Sequence, residues 1–411
     1  MTEKNKYFLM IVALTAALGF GACFRALQAA RVVGLALSYF LVKEMAPATR
    51  KNKDVIWIGA FCAALMAYGC LTLLWSPDKM AGAKEICLYA VHFIILMEMI
   101  VFGMKVIEAG ESSMNAIGKG WMIAIGGTAV IGIIEVTTGW HIPFENANLG
   151  NLEIHLEDDS LVHRRIVRGT FENMSQYDVL MVMAMPFIIW IILWGKRLWL
   201  KVTAGALLVA CYAFMRFNAT RGGLIVSMVM ALAIVTIYWM KYGWKGALAT
   251  IGAIAIIGTT SWGYEKKIDT DTGRVVAMRT DTKRIVDGST RTVIAEEMVN
   301  EEKKETKRWV TGQGVGSMQE VSPHNLFLEF LYCFGGVWFA LLMAGVIKYA
   351  LNIFKVKEKE KMVLMIATAV TLPVCYIMDS TYLLSPMFYV SLGALYLMIY
   401  ENTRSEQPVA E

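Results

Sequence analysis

Twelve apolar stretches, each 17 to 26 residues long, dominate this chain and fix most of what it can fold into. They lie near 7–24, 27–43, 55–75, 86–107, 118–138, 177–195, 198–215, 222–241, 245–262, 325–350, 362–379 and 383–400. A helix needs roughly 20 such residues to cross the hydrocarbon of a bilayer, somewhat fewer where it is tilted or buried by neighbours. With 57% hydrophobic and 18% charged residues, a water-soluble domain of 411 residues could not hide its apolar surface. The expected class is therefore an all-α integral membrane protein of about twelve transmembrane helices. The first run reads as a spanning helix, since no small-residue cleavage site follows it and more membrane sequence does.

Charge sets the expected orientation. With the N-terminus inside, the connections 43–53, 105–119, 196–201, 241–245 and 348–361 and the two tails carry 19 Lys and Arg. The short connections on the other side carry six: Arg25, Arg31, Lys79, Lys84, Arg216 and Arg221. That bias predicts both termini on the cytoplasmic side. The two long segments, Trp140–Gln176 and Gly263–Pro323, then fall outside, and loop-borne chemistry is expected there. The expected organisation is five helices (1–138), a first outer loop (139–176), four central helices (177–262), a large outer loop (263–323) between helices nine and ten, three final helices (324–400), and a tail (401–411). The large loop carries eleven charges of each sign. Within it, residues 292–307 run from acidic to basic with good helix formers, which predicts a helix.

Arginine recurs at the outer boundary: Arg164, Arg165 and Arg168 before span six, Arg216 and Arg221 in the short turn between spans seven and eight, and Arg291 in the large loop. An arginine at the bilayer edge needs a partner, and its fork suits carboxylates and phosphates. One such residue reads equally well as headgroup snorkelling. The set reads as an anion site at headgroup depth, for a lipid-linked phosphate or diphosphate. His324 follows Pro323 and is expected in the first turn of span ten, capped by Ser322. There the helix dipole disfavours imidazolium and leaves a proton acceptor. Asn325 can donate and accept, and Glu329 lies one turn further in. The plain alternative for His324 is a residue that points to water.

Other features carry less. Gly312–Gly316 (GQGVG) lacks the Lys and Ser/Thr of a phosphate loop and is expected to be a flexible turn above span ten. His92, Glu98 and Glu135 are ionisable groups inside spans four and five, few for an ion pathway. His141, His155 and His163 lack metal-ligand spacing and are expected in solvent. The seven cysteines lie in apolar runs without a CxxC pair, so neither a disulfide framework nor a metal site is expected. The acidic pairs Asp158-Asp159 and Asp269-Thr270-Asp271 do not demand a metal either. The sequons at Asn173 and Asn218 are taken as coincidental.

Several segments, in order along the chain, resemble the signatures of the bacterial O-antigen ligase and polymerase superfamily. Leu74-Trp75-Ser76-Pro77-Asp78 resembles its W-S-x-D turn after span three. Arg168-Gly169-Thr170-Phe171-Glu172-Asn173 is similar to its R-x-GTF-x-N segment, and Asn218–Gly223 (NATRGG) to its (S/T)-R-(G/A)-(G/A) turn. Ser289-Thr290-Arg291 resembles its G-R segment, although no glycine directly precedes this arginine and the tryptophan that often follows is missing. Gly314-Val315-Gly316, Pro323-His324-Asn325, Leu328-Glu329 and Gly335-Gly336 resemble its G-x-G…HN-x-x-LE…G-x-x-G pattern.

The resemblance implies a GT-C-like, metal-independent glycosyltransferase of the bacterial inner membrane that needs no cofactor. It would move a glycan from undecaprenyl diphosphate to an acceptor hydroxyl at the periplasmic face. His324 would be the general base. Arg221 and Arg291 would hold the diphosphate, with Arg168, Arg165, Arg216, Asn325 and Glu329 lining the site. A ligase would deliver the glycan to lipid A–core, a polymerase to another lipid-linked repeat. The short tail after residue 400 is not expected to hold the soluble domain usual in the branch that glycosylates proteins. A flippase or transporter would more readily show related halves and a mid-bilayer site, and neither is visible.

Overall fold

A computed structural model gives the structure of the protein over residues 3–21, 28–143, 151–155, 161–218, 220–268, 306–317, 325–375 and 382–404. The helices in chain order are α1 Glu3–Ala17, α2 Ala29–Lys51, α3 Lys53–Thr72, α4 Lys79–Glu108, α5 Ser113–Thr138, α6 Met174–Trp194, α7 Leu198–Phe217, α8 Arg221–Ile268, α9 Thr306–Thr311, α10 Leu326–Ala350, α11 Lys359–Cys375 and α12 Pro386–Arg404. Among the described residues, eight (α2 to α8 and α10) are long and apolar enough to cross a membrane. The protein is thus an all-α multi-pass membrane protein in its architecture. One addition was not expected: a two-stranded antiparallel hairpin, β1 Asn151–His155 with β2 Leu161–Arg165, in the first long connection.

Expected spans eight and nine meet in a single assigned helix, α8, with Gly243 at φ +64°, ψ −160° inside it. These angles break the helix, so α8 is two helical segments joined at a kink. Helix α8 also runs on to Ile268, beyond the expected end of span nine. Helix α4 begins at Lys79, seven residues before the expected span, because Asp78 accepts from the Ala81 N–H at 2.9 Å and caps it there. Of the helix expected over 292–307, residues 292–305 lie outside the described residues.

Helix α6 lies at the centre. Its sequence is apolar on every face, and Tyr177 through Ile191 are buried without a break. It packs between α5 and α7, while α4 packs against α1, α2, α3 and α12. Small residues bring the backbones close, as is usual where lipid offers no hydrophobic drive for association. A Cβ on Gly120 of α5 would meet Thr15 at 2.5 Å, and one on Gly103 of α4 would meet Leu397 at 2.2 Å. Trp121 stacks parallel to Phe187 between α5 and α6, with ring centroids 6.2 Å apart.

The helix ends at the face expected to be cytoplasmic are tied by polar contacts. Glu44 receives the Tyr7 hydroxyl at 2.5 Å and the Lys105 ammonium at 2.8 Å. Glu401 accepts from Ser113 Oγ at 2.6 Å and from the Ser113 N–H at 3.0 Å, so α12 caps the start of α5. The opposite helix ends carry a different set of polar residues.

Candidate functional site

At those opposite ends, the segment between β2 and α6 threads into the bundle as irregular backbone, with Ile166 to Thr170 all buried. Backbone polar groups at that depth must find protein partners. Glu135, near the end of α5, supplies two: its Oε2 accepts from the Arg168 N–H at 2.9 Å and the Gly169 N–H at 2.8 Å. Its Oε1 lies 2.9 Å from His141 Nδ1. The His141 side chain is therefore only 9% exposed, contrary to the expectation of a solvent-facing histidine. Glu135, for its part, serves the backbone at a helix end and is no isolated charge within a span. Gly169 sits at φ +55°, and an added Cβ would lie 3.0 Å from the Tyr177 ring, which explains a glycine after Arg168.

Asn218, directly after α7, holds the same segment from the other side. Its Oδ1 accepts from the Val167 N–H at 2.9 Å, while its Nδ2 donates to the Val167 carbonyl at 2.7 Å and to Asp178 Oδ1 at 2.9 Å. The side-chain amide thus pairs with both backbone groups of one residue, Val167, much as a neighbouring strand would. Fully buried Asn218 and Asp178 join three segments: the approach to α6, the first turns of α6, and the α7–α8 turn. This places the Arg168 segment beside the turn that carries Arg216 and Arg221, both half-buried. From the sequence Asn218 counts only as a coincidental sequon and as part of the NATRGG turn, and Asp178 is given no role. An asparagine in the short turn between spans seven and eight and an aspartate just inside span six were the available signal.

Arg168 itself is only 3% exposed, and its Nη2 donates to the Ile142 carbonyl at 2.8 Å. Burial lowers its pKa from the ordinary guanidinium value, and the nearby Glu135 and Glu172 carboxylates oppose that shift. Arg216 occupies the last turn of α7, where a cation complements the helix dipole. Arg221 is the first residue of α8, where a cation opposes it, and no acidic residue shares that first turn.

A second cluster forms around the glycines 312–316, and it corrects the expectation of a flexible turn. Gly314, Val315 and Gly316 are buried against the α3–α4 turn. Thr72 Oγ1 accepts from the Val315 N–H at 3.1 Å, Ser76 Oγ donates to the Val315 carbonyl at 2.6 Å, and Glu85 Oε2 accepts from the Gly316 N–H at 3.1 Å. Trp75 Nε1 and the Tyr68 hydroxyl donate to the Gly312 and Thr311 carbonyls at 3.2 and 2.7 Å. Gly316, at φ +92°, could not carry a side chain, because a Cβ would lie 2.5 Å from the Gly82 nitrogen. The Trp-Ser-Pro-Asp turn and the Gly-x-Gly segment are therefore two halves of one docked joint.

Helix α10 starts at Leu326, and Asn325, not Ser322, is its cap: Asn325 Oδ1 accepts from the Phe327 and Leu328 N–H groups at 3.0 and 3.4 Å. The expected start is corrected by this capping preference, and in sequence His324 precedes the cap instead of occupying the first turn. Glu329 is 4% exposed. His324 and Arg291 lie outside the described residues, as does the side chain of Arg165, whose backbone pairs with Asn151 in the hairpin.

A third polar group was not foreseen. Arg31, at the start of α2, donates through Nε to His92 Nε2 at 3.1 Å and through Nη2 to the Leu384 carbonyl at 2.6 Å. The His92 ring stacks on Tyr389 with centroids 4.9 Å apart. Thr170 Oγ1 donates to the Gly19 carbonyl at 2.7 Å, which ties the Arg168 segment to the end of the first helix, close by. Among the described residues no three His, Cys, Asp or Glu side chains converge as a metal site. Compared with known proteins, the sequence matches no protein-family model and no curated protein.

Proposed function

We propose that this protein is a twelve-span, GT-C-like glycosyltransferase of a bacterial inner membrane, with both termini cytoplasmic. It takes a glycan from undecaprenyl diphosphate at the periplasmic face and passes it to a sugar hydroxyl of lipid A–core. The observation that carries this reading is the Asn218 tie. It seats the Arg168 segment and the Arg216–Arg221 turn on one platform, as a shared phosphate site would require. The break at Gly243 supports counting α8 as two spans, and the packing of α1, α11 and α12 against spanning helices supports counting them as well.

In this mechanism His324 accepts the proton of the acceptor hydroxyl as its oxygen attacks the anomeric carbon. The bond from that carbon to the diphosphate oxygen breaks, and undecaprenyl diphosphate leaves with the negative charge. Arg221 and Arg291 stabilise that charge as it develops, with Arg216 beside them. Arg168, deeply buried, contributes field and shape to the platform. Arg165, Asn325 and Glu329 complete the rim. No nucleotide or metal has a role, because the activated bond arrives on the lipid.

The test is reconstitution of the purified protein in vesicles with a lipid-diphosphate glycan and either lipid A–core or a second lipid-linked repeat. Glycan on lipid A–core is expected. Extension of the lipid-linked repeat would make the protein a polymerase, and no transfer to either would refute the reading.

A further inference from the structure

A cavity of about 160 Å³ lies between the end of the first helix, the start of α2, the turn before α6 and the start of α12. Four polar side chains line it, from Gln28, Arg31, Gln176 and Ser385, and Phe171 and Met387 add apolar surface. Resting on the reading above, we infer that this cavity receives the sugar ring attached directly to the lipid diphosphate.

Size is the first reason. A cavity of about 150 Å³ accommodates one benzene ring, so this one, open on one side, has room for the ring of one sugar with its larger substituents at the mouth, and not for a disaccharide. Chemistry is the second. Arg31 is 7% exposed, and its bonds to His92 Nε2 and the Leu384 carbonyl fix the plane of its guanidinium. Two amides that each donate and accept, a hydroxyl and a fixed guanidinium match the vicinal hydroxyls of a sugar, and the Phe171 ring offers surface for its C–H face.

Position is the third. Phe171 belongs to the same turn as Arg168, closed by the Phe171 N–H donating to the Arg168 carbonyl at 3.0 Å. The two ends of such a turn lie within about 7 Å, comparable to the separation between a phosphate and the centre of the sugar it bears. The turn therefore has one end on the arginine platform and the other in the cavity wall. Thr170 and Gly21 pin it in between, since a Cβ on Gly21 would meet the Thr170 carbonyl at 2.6 Å.

The experiment measures binding of two probes to the full chain in nanodiscs: undecaprenyl diphosphate, and undecaprenyl diphosphate bearing a single N-acetylhexosamine. Gln176→Leu and Ser385→Ala leave the Arg31–His92 contact in place. Each is expected to weaken the sugar-bearing lipid about tenfold, the scale of a lost polar contact, while undecaprenyl diphosphate binds as before and reports intact folding. Equal weakening of both probes would assign the cavity to the diphosphate or to a structural role and overturn the inference. Unchanged binding of both would overturn it too. If the unmodified protein binds neither probe, the glycosyltransferase reading itself fails and the inference with it.

Discussion

Replacing Asn218 with alanine removes three hydrogen bonds at once: the one from the Val167 N–H, and those to the Val167 carbonyl and Asp178 Oδ1. All the groups are buried, so water cannot take over. At roughly 1 kcal/mol for each bond, the local loss is about 3 kcal/mol. That corresponds to about a hundredfold rise in the local opening equilibrium. The amides that report it are those of Arg168 and Gly169, whose bonds to Glu135 depend on the segment staying seated. Hydrogen exchange by mass spectrometry on the protein in nanodiscs should show residues 166–172 exchanging about a hundredfold faster, with α4 unchanged. Transfer activity should fall in step, since the platform beneath Arg216 and Arg221 is loosened. Unchanged protection of residues 166–172 in a folded variant would refute the tie. Uniform acceleration across all helices would mean that Asn218 is a general core contact and no local clamp. Asn218→Asp sharpens the result: it keeps the acceptor for the Val167 N–H, but loses both donors and sets a second carboxyl against Asp178.

His324→Ala should abolish transfer while the protein still binds the lipid-diphosphate donor, and a normal rate in the vesicle assay would remove the histidine from the mechanism. Gly316→Ala should lower the melting temperature by several degrees and cost more than about 2 kcal/mol, because its Cβ would collide with Gly82 and Asp78 backbone. Gly110→Ala, at φ +77° with open space around it, should cost only about 1 kcal/mol of backbone strain in the same melt. Tyr68→Phe should cost about 1 kcal/mol through its lost bond to the Thr311 carbonyl, and a melt unchanged from that of the unmodified protein would show that this bond does not hold the loop.

The helical bundle was legible because a bilayer leaves the backbone few options: apolar runs of sufficient length become helices, and charges mark their ends. The joints between helices were less legible. Nothing in the string GQGVG distinguishes slack from a tightly docked loop; the difference lies in Thr72, Ser76 and Glu85, more than two hundred residues away, which accept or donate at its backbone. His141 looked exposed because nothing in the sequence pairs it with Glu135, six residues earlier near the outer end of span five. Asn218 was passed over because a polar residue between two arginines reads as part of a surface turn. The start of α10 was misplaced by one cap, since Ser322 and Asn325 are both good capping residues and sequence alone does not choose between them.

Most residues that carry the family resemblance hold backbone in place. Trp75 and Ser76 bind the glycine loop, Asp78 and Asn325 cap helices, and Gly169, Thr170 and Asn218 seat the turn before α6. Arg221 differs from all of these. It is half-buried at the positive end of α8, so its charge weakens its own helix. A residue that serves stability should not be placed there; one that meets an anion should. Arg221→Gln removes the unfavourable charge and should leave the melting temperature unchanged or raise it slightly, by the equivalent of about 0.3–1 kcal/mol. The same variant should lose transfer activity, and Arg221→Lys should restore it only in part, because an ammonium keeps the charge but not the two-pronged donor. Thermal melts and the vesicle transfer assay on the same preparations separate the two roles. A melt lowered by several degrees in Arg221→Gln would make this arginine another structural tie and leave the proposed diphosphate without its central partner.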